Sequence, residues 1–124
     1  TESFPVLKAR CERHAESVGV GLDFRQSNHE GVLVDWIHEA KEKKAGGLVI
    51  NPAGFTTSSI AILDAILATS LPTIEIHITN IHRREEFRQH SYVSKAAVGV
   101  ICGLGIRGYR LAIEALAGIL EDAQ

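Results

Sequence analysis

The chain has 124 residues, enough for one domain around one modest core. Apolar side chains make up 45% and charged ones 23%, the balance of an ordinary globular domain. The formal net charge is −2 with both signs interspersed, and no basic cluster outweighs its neighbouring acids, which argues against a nucleic-acid or membrane-surface protein.

The two cysteines, Cys11 and Cys102, fall in an amphipathic helical stretch and at the end of an apolar run, so they read as buried, reduced thiols and predict a cytoplasmic location. No apolar segment approaches the ~20 residues needed to span a bilayer. The opening Thr-Glu-Ser-Phe-Pro has neither the basic start nor the apolar stretch of a signal peptide, and none is predicted.

Helical and strand periods then alternate along the chain. Leu7, Cys11, Ala15 and Val18 recur at helical spacing, with Ser3 and Pro5 as start signals and Gly19 as a stop. Val20, Leu22 and Phe24 alternate with Gly21, Asp23 and Arg25, which predicts a strand before the polar loop 26–31. Leu33, Trp36, Ile37 and Ala40 form a second helical stripe, ended by Gly46 and Gly47. Leu48 to Asn51 predicts a short strand stopped by Pro52 and Gly54, and Ser58 or Ser59 can cap a helix carrying Ile60, Leu63, Ile66 and Leu67. Thr73 to Thr79 alternates strictly, a short polar helix is predicted around Arg84 to His90, and a strand from Val98 to Cys102 precedes a last helix from Ile106 to Leu120. Strands separated by helices mean βαβ units and a parallel sheet, here in one α/β domain spanning 1–124. The chain opens on a helix, however, where doubly wound sheets open on a strand that becomes central.

Parallel α/β sheets bind ligands beyond the carboxyl ends of their strands. Three of the four stretches that follow strands here are rich in polar groups: residues 25–31, Asn51 to Gly54, and His77 to Asn80. In Glu75-Ile76-His77-Ile78-Thr79-Asn80, period 2 puts Glu75, His77 and Thr79 on one face. A carboxylate two residues from an imidazole can fix its tautomer and keep it protonated, as a general acid requires. The same pattern fits an exposed polar edge face. Arg84 and Arg88 would share a helix face and could bind hydroxyls or a carboxylate, or pair with Glu85 and Glu86 at the surface. His14, His38, His82 and His90 show no metal-ligand spacing. Gly103-Leu104-Gly105-Ile106-Arg107-Gly108 matches G-x-G-x-x-G after a strand, and fits either a dinucleotide site or a tight strand-to-helix turn.

With those residues in view, the sequence resembles the type II 3-dehydroquinate dehydratase (type II dehydroquinase) family over nearly its whole length. The matching runs are Phe24 to Gly31, Asp35 to Ala40, Ile50-Asn51-Pro52, Glu75 to His82, Arg84 to Arg88 with His90-Ser91-Tyr92, and Gly99 to Ile101 with Gly103 to Ile106 and Gly108-Tyr109. The resemblance implies a flavodoxin-like α/β fold, a metal- and cofactor-independent lyase of the shikimate or quinate pathway, and loss of water from 3-dehydroquinate by anti elimination through an enolate. It implies His77 as the acid with Glu75 as its orienter. It further implies that Asn51 and the amides of Ile78 and Thr79 hold the substrate carboxylate. Arg88, with Arg84 near it, would contact the substrate ring, and Asp64 would reach a neighbouring subunit's site. The implied partners are a small-molecule substrate and further copies of the chain, as a trimer or a dodecamer of trimers, with no nucleic acid or membrane.

Three departures from the family pattern follow. The family's opening strand, with its asparagine and the lid arginine and tyrosine, has no counterpart here, since Thr1 aligns just beyond it. A first strand missing from these residues, and doubtful activity for them alone, are therefore expected; a non-catalytic relative acting as a binding or scaffold protein is the alternative. Neither Tyr92 nor Tyr109 replaces the lid tyrosine by motif. Thr57 stands where the family usually has histidine, and Thr79 where it has serine.

Overall fold

The structure is a computed structural model and describes residues 3–124. Helix α1 spans Phe4–Ser17, with Pro5 in the first turn, where its missing N–H costs nothing. Ser3 occupies the N-cap position with extended dihedrals, though its side chain makes no capping bond. Gly19, at φ +80°, turns the chain out of the helix. Helix α2 spans Glu30–Glu42 and so begins inside the expected polar loop. Strand β1 (Leu48–Ile50) is followed by a 3-10 turn at Ala53–Phe55 and by helix α3 (Ile60–Thr69), whose N-cap is Ser59: its hydroxyl accepts from the Ile62 amide at 3.0 Å. Strand β2 (Thr73–His77), strand β3 (Gly99–Cys102) and helix α4 (Arg107–Asp122) complete the regular elements.

The sheet runs in the order β1-β2-β3, all parallel, with Ile50 opposite Glu75 and His77 opposite Cys102. Helices cover both faces. On one, Ile74 and Ile76 pack with Ala112 and Leu116 of α4, and Cys11 and Ala15 of α1 lie against Ile113. On the other, Ile37 of α2 packs with Ile62, Ala65 and Ile66 of α3 and with Val93. Ile62 and Ile76 are fully buried, and each contributes about 1.5–3 kcal/mol through removal of its side chain from water. This three-layer α/β architecture is flavodoxin-like, as expected. Gly47 is set by close packing: a Cβ there would lie 2.8 Å from the Pro72 carbonyl and 2.7 Å from Leu116.

Two predicted elements are corrected. The segment from Val20 to Arg25 is not a paired strand among the described residues. Its alternation is nonetheless used, because Val20, Leu22 and Phe24 pack against the cluster of Cys11, Ala15 and Ile113. Period 2 reports which side chains face a core; a strand also needs a neighbour to complete its ladder. The polar helix expected around Arg84 to His90 is a pair of 3-10 turns, Ile81–Arg83 and Glu86–Arg88, separated by Arg84 in an extended conformation. With no apolar stripe, that stretch has nothing to hold a full helix onto the core.

Among the described residues no helix is long and apolar enough to cross a membrane. Cys11 is buried and Cys102 half-buried.

Candidate active site

Strand β2 lies in the middle of the sheet, and all five of its residues are buried. The exposed-edge reading of Glu75 and His77 therefore fails: their shared face points into the layer beneath α3, with Glu75 fully buried and His77 6% exposed. The His77 Nε2 atom makes a short hydrogen bond to Glu75 Oε2. The same carboxylate oxygen accepts from Ser91 Oγ at 2.7 Å, and Oε1 accepts from Ser94 Oγ at 2.5 Å. Burial alone would push the Glu75 carboxyl up. The hydrogen bonds from His77, Ser94 and Ser91 outweigh that and hold it below its ordinary value, so the buried carboxyl stays ionised. With Nε2 engaged by Glu75, Nδ1 is the ring nitrogen left to meet a ligand.

His77 opens into a pocket of about 340 Å³ at the carboxyl end of β2, lined also by Asn51, Thr57, Ile78, Thr79, Arg84 and Arg88. The side chain of Asn51 is fixed at both ends: Nδ2 donates to the Tyr109 hydroxyl at 3.0 Å, and Oδ1 accepts from the Ala53 amide at 3.1 Å. The second bond holds Ala53 at φ +46°, a left-handed conformation that costs a residue with a Cβ about 1–3 kcal/mol. Gly103, at φ +88°, brings the turn after β3 against Asn80, where a Cβ would sit 3.0 Å from the Asn80 Cβ. The backbone amides of Ile78 and Thr79 donate to no group among the described residues, although the Ile78 carbonyl accepts from the Gly105 amide at 3.0 Å. Two successive unspent amides beside an asparagine amide suit a carboxylate. Arg88 spends Nε on Glu85 at 2.8 Å and stacks on Phe87 at 4.8 Å, which leaves the end of its guanidinium for a ligand.

A larger cleft of about 560 Å³ between α1 and α4 is lined by Arg10, Arg13, His14, Arg107 and Arg110. No carboxylate is among its lining residues, and most of the site residues singled out from the sequence gather at the β2 end instead.

The family model described as Dehydroquinase class II matches residues 1–117. The chain belongs to the class II dehydroquinase family. It is 56% identical over 115 residues to the 3-dehydroquinate dehydratase of Caulobacter vibrioides, covering 93% of this chain and 78% of that protein. With 3-dehydroquinate dehydratase 2 of Pseudomonas aeruginosa it shares 54% over 113 residues, covering 91% and 76%. The crystal structure of the type II dehydroquinase from Propionibacterium acnes superposes with a TM-score of 0.90 at 42% identity, covering 95% of this chain and 86% of that one.

Seven of the eight residues singled out in this dehydroquinase sequence come together. Glu75 stands behind His77, while Asn51, Ile78, Thr79, Arg84 and Arg88 line the same pocket as His77, with Thr57 among them. Asp64 does not join them; it is exposed on the outer face of α3. Sequence reasoning assigned no role to Ser91, Ser94 or Tyr109. The serines stand three apart, the spacing of a tight turn, but only the fold brings that turn under Glu75. The Gly103–Gly108 stretch is a strand-to-helix turn in which a Cβ at Gly108 would lie 3.6 Å from Ile101.

Proposed function

We propose that the protein is a 3-dehydroquinate dehydratase, a hydro-lyase of the shikimate pathway, with His77 as the general acid. In this reading the C2 proton of 3-dehydroquinate is removed to give the C3 enolate. Collapse of the enolate expels the C1 hydroxyl as water, the proton coming from His77, and leaves a C1–C2 double bond in 3-dehydroshikimate. The Glu75 carboxylate on Nε2 fixes the imidazole with Nδ1 toward the pocket, the geometry a positioned proton donor needs. The amides of Ile78 and Thr79 with Asn51 take the substrate carboxylate, and Arg88 and Arg84 meet the ring side. The base implied by the resemblance, a lid tyrosine, has no counterpart among these residues, so their share of the reaction is the acid and the cradle.

The single observation that carries this reading is the buried Glu75–His77 pair opening onto the pocket with the two unspent amides, in a chain of this family. The test is turnover of 3-dehydroquinate by the full-length protein, followed by the ultraviolet absorbance of the conjugated product. Steady turnover is expected, and its absence at micromolar enzyme overturns the reading.

The assembly is part of the proposal. Ile60, Asp64 and Leu67 are exposed at one-turn spacing on α3, and Ile60 and Leu67 are each 54% exposed, an apolar rim around a carboxylate that a second copy could cover. A trimer or dodecamer in light scattering is the expected result, and a monomer at micromolar concentration removes Asp64 from the site.

A further inference from the structure

We propose that Ser91 and Ser94 are positioning residues for the general acid, their hydroxyls fixing the Glu75 carboxylate as the acceptor of His77. The inference rests on the dehydratase reading above for its kinetic consequence, though not for its geometry. Three donors converge on one buried carboxylate: His77 and Ser91 on Oε2, and Ser94 on Oε1. Both oxygens are thereby occupied, and the carboxylate cannot rotate without breaking a charge-assisted bond.

The serines are themselves held. The Ser94 amide donates to Ser91 Oγ at 3.3 Å, which uses an acceptor lone pair of that hydroxyl and directs its single proton at Glu75. Between them Val93 is fully buried among Ile37, Ile62 and Ile66, and the Tyr92 amide donates to the Thr56 carbonyl at 3.1 Å. The turn Val93–Lys95 is thus pinned both to α3 and to the loop that frames the pocket.

The groups that face the carboxylate define what the serines do. Across the sheet Glu75 stands opposite Ile50 on β1 and Val100 on β3, both apolar, so His77 is the ionisable group acting on it; Arg84 and Arg88 line the same pocket as His77. Within such a pair one proton can sit on either partner. Neutral donors aimed at the carboxylate make it the weaker base and keep the proton on the imidazole, where the departing hydroxyl can take it. Without them only His77 opposes the effect of burial, and the carboxyl becomes the stronger base.

The test uses the full-length protein with Ser94→Ala, the double variant Ser91→Ala/Ser94→Ala, and Ser94→Thr, which keeps the hydroxyl. In the double variant kcat is expected to fall about ten- to a hundredfold at neutral pH with KM within about threefold, because the acid and not the substrate cradle is impaired. The acid limb of the pH–rate profile should move up as Glu75 loses donors, and Ser94→Thr should restore it. A double variant with kcat within threefold of wild type and an unmoved limb overturns the proposal, as does a loss carried by KM. Should the double variant fail to fold, Ser94→Ala alone gives the same readout, since Ser94 is an exposed residue on a surface turn. Titration of the Glu75 carboxyl carbon by NMR separates the two readings. An inactive wild type sinks the dehydratase assignment, whereas a Glu75 titration unchanged by Ser94→Ala sinks the role of the serines.

Discussion

Glu75 and Glu39 are both carboxylates held below their ordinary range by hydrogen-bonded partners, yet they sit in opposite surroundings. Glu39 takes two hydrogen bonds from Arg25, at 2.9 and 3.0 Å, and a third contact from Lys43 at 2.6 Å, and these lower its pKa to about 2. Arg25 also pairs with Asp23 at 2.8 Å and lies 5.5 Å over the Trp36 ring. That network is open to water: the Glu39 and Arg25 side chains are each 31% exposed, and Lys43 65%. Glu75 has one ionisable partner and two neutral ones, and no exposure at all. A carboxylate pKa held below its ordinary value therefore does not by itself locate function. In the exposed network charges meet charges that water and salt can replace. In the buried one the protein supplies every partner, so the arrangement can be selected for what it does to a proton.

The largest effect that can break this contrast is on the acid. His77→Ala is expected to cost about 10²–10⁴-fold in turnover, the usual contribution of a positioned general acid. A variant within a few-fold of wild type would place the chemistry elsewhere.

Acid titration distinguishes the two networks by stability. Because the folded Glu75 carboxyl lies below its ordinary value of 4.5, its stabilising contribution is complete above that pH and is lost as pH falls through the folded value. Glu39 loses its share in the same direction, toward about 2. Added salt should erase the Glu39 part and spare that of Glu75, because buried pairs are poorly screened. Thermal melts below pH 4.5, at low and high salt, for wild type and Glu75→Gln, measure this; an acid loss that vanishes entirely at high salt would contradict it.

At the pocket rim, Thr57→His should tighten apparent binding of 3-dehydroquinate. One hydroxyl contact is worth roughly 0.5–1.5 kcal/mol, or about three- to tenfold in KM. An unchanged or higher KM would mean that Thr57 already suits its neighbours. The smallest effect belongs to the exposed side: Glu39→Gln should leave turnover unchanged and shift the melting temperature by no more than about two degrees. A loss of activity there would show that the surface network reaches the site.

Much of this was legible in the residues themselves. The stripe Leu7, Cys11, Ala15 and Val18 gave α1, the Ser59 cap gave the start of α3, and period 2 put Glu75 and His77 on one face. These features follow from backbone geometry within a few residues, which any local reading can follow. Tertiary structure decided the rest. Nothing within 73–77 says that β2 is central and dry; that depends on β1 and β3 taking its two edges. The alternation from Val20 to Phe24 serves packing without a ladder, a distinction set by which backbone comes alongside. Arg84 and Arg88 reach one pocket from two separate turns, and Ser91 and Ser94 reach Glu75 across 16 and 19 residues. Contacts at that separation exist only once apolar surfaces have chosen their partners, and that choice depends on the whole chain at once.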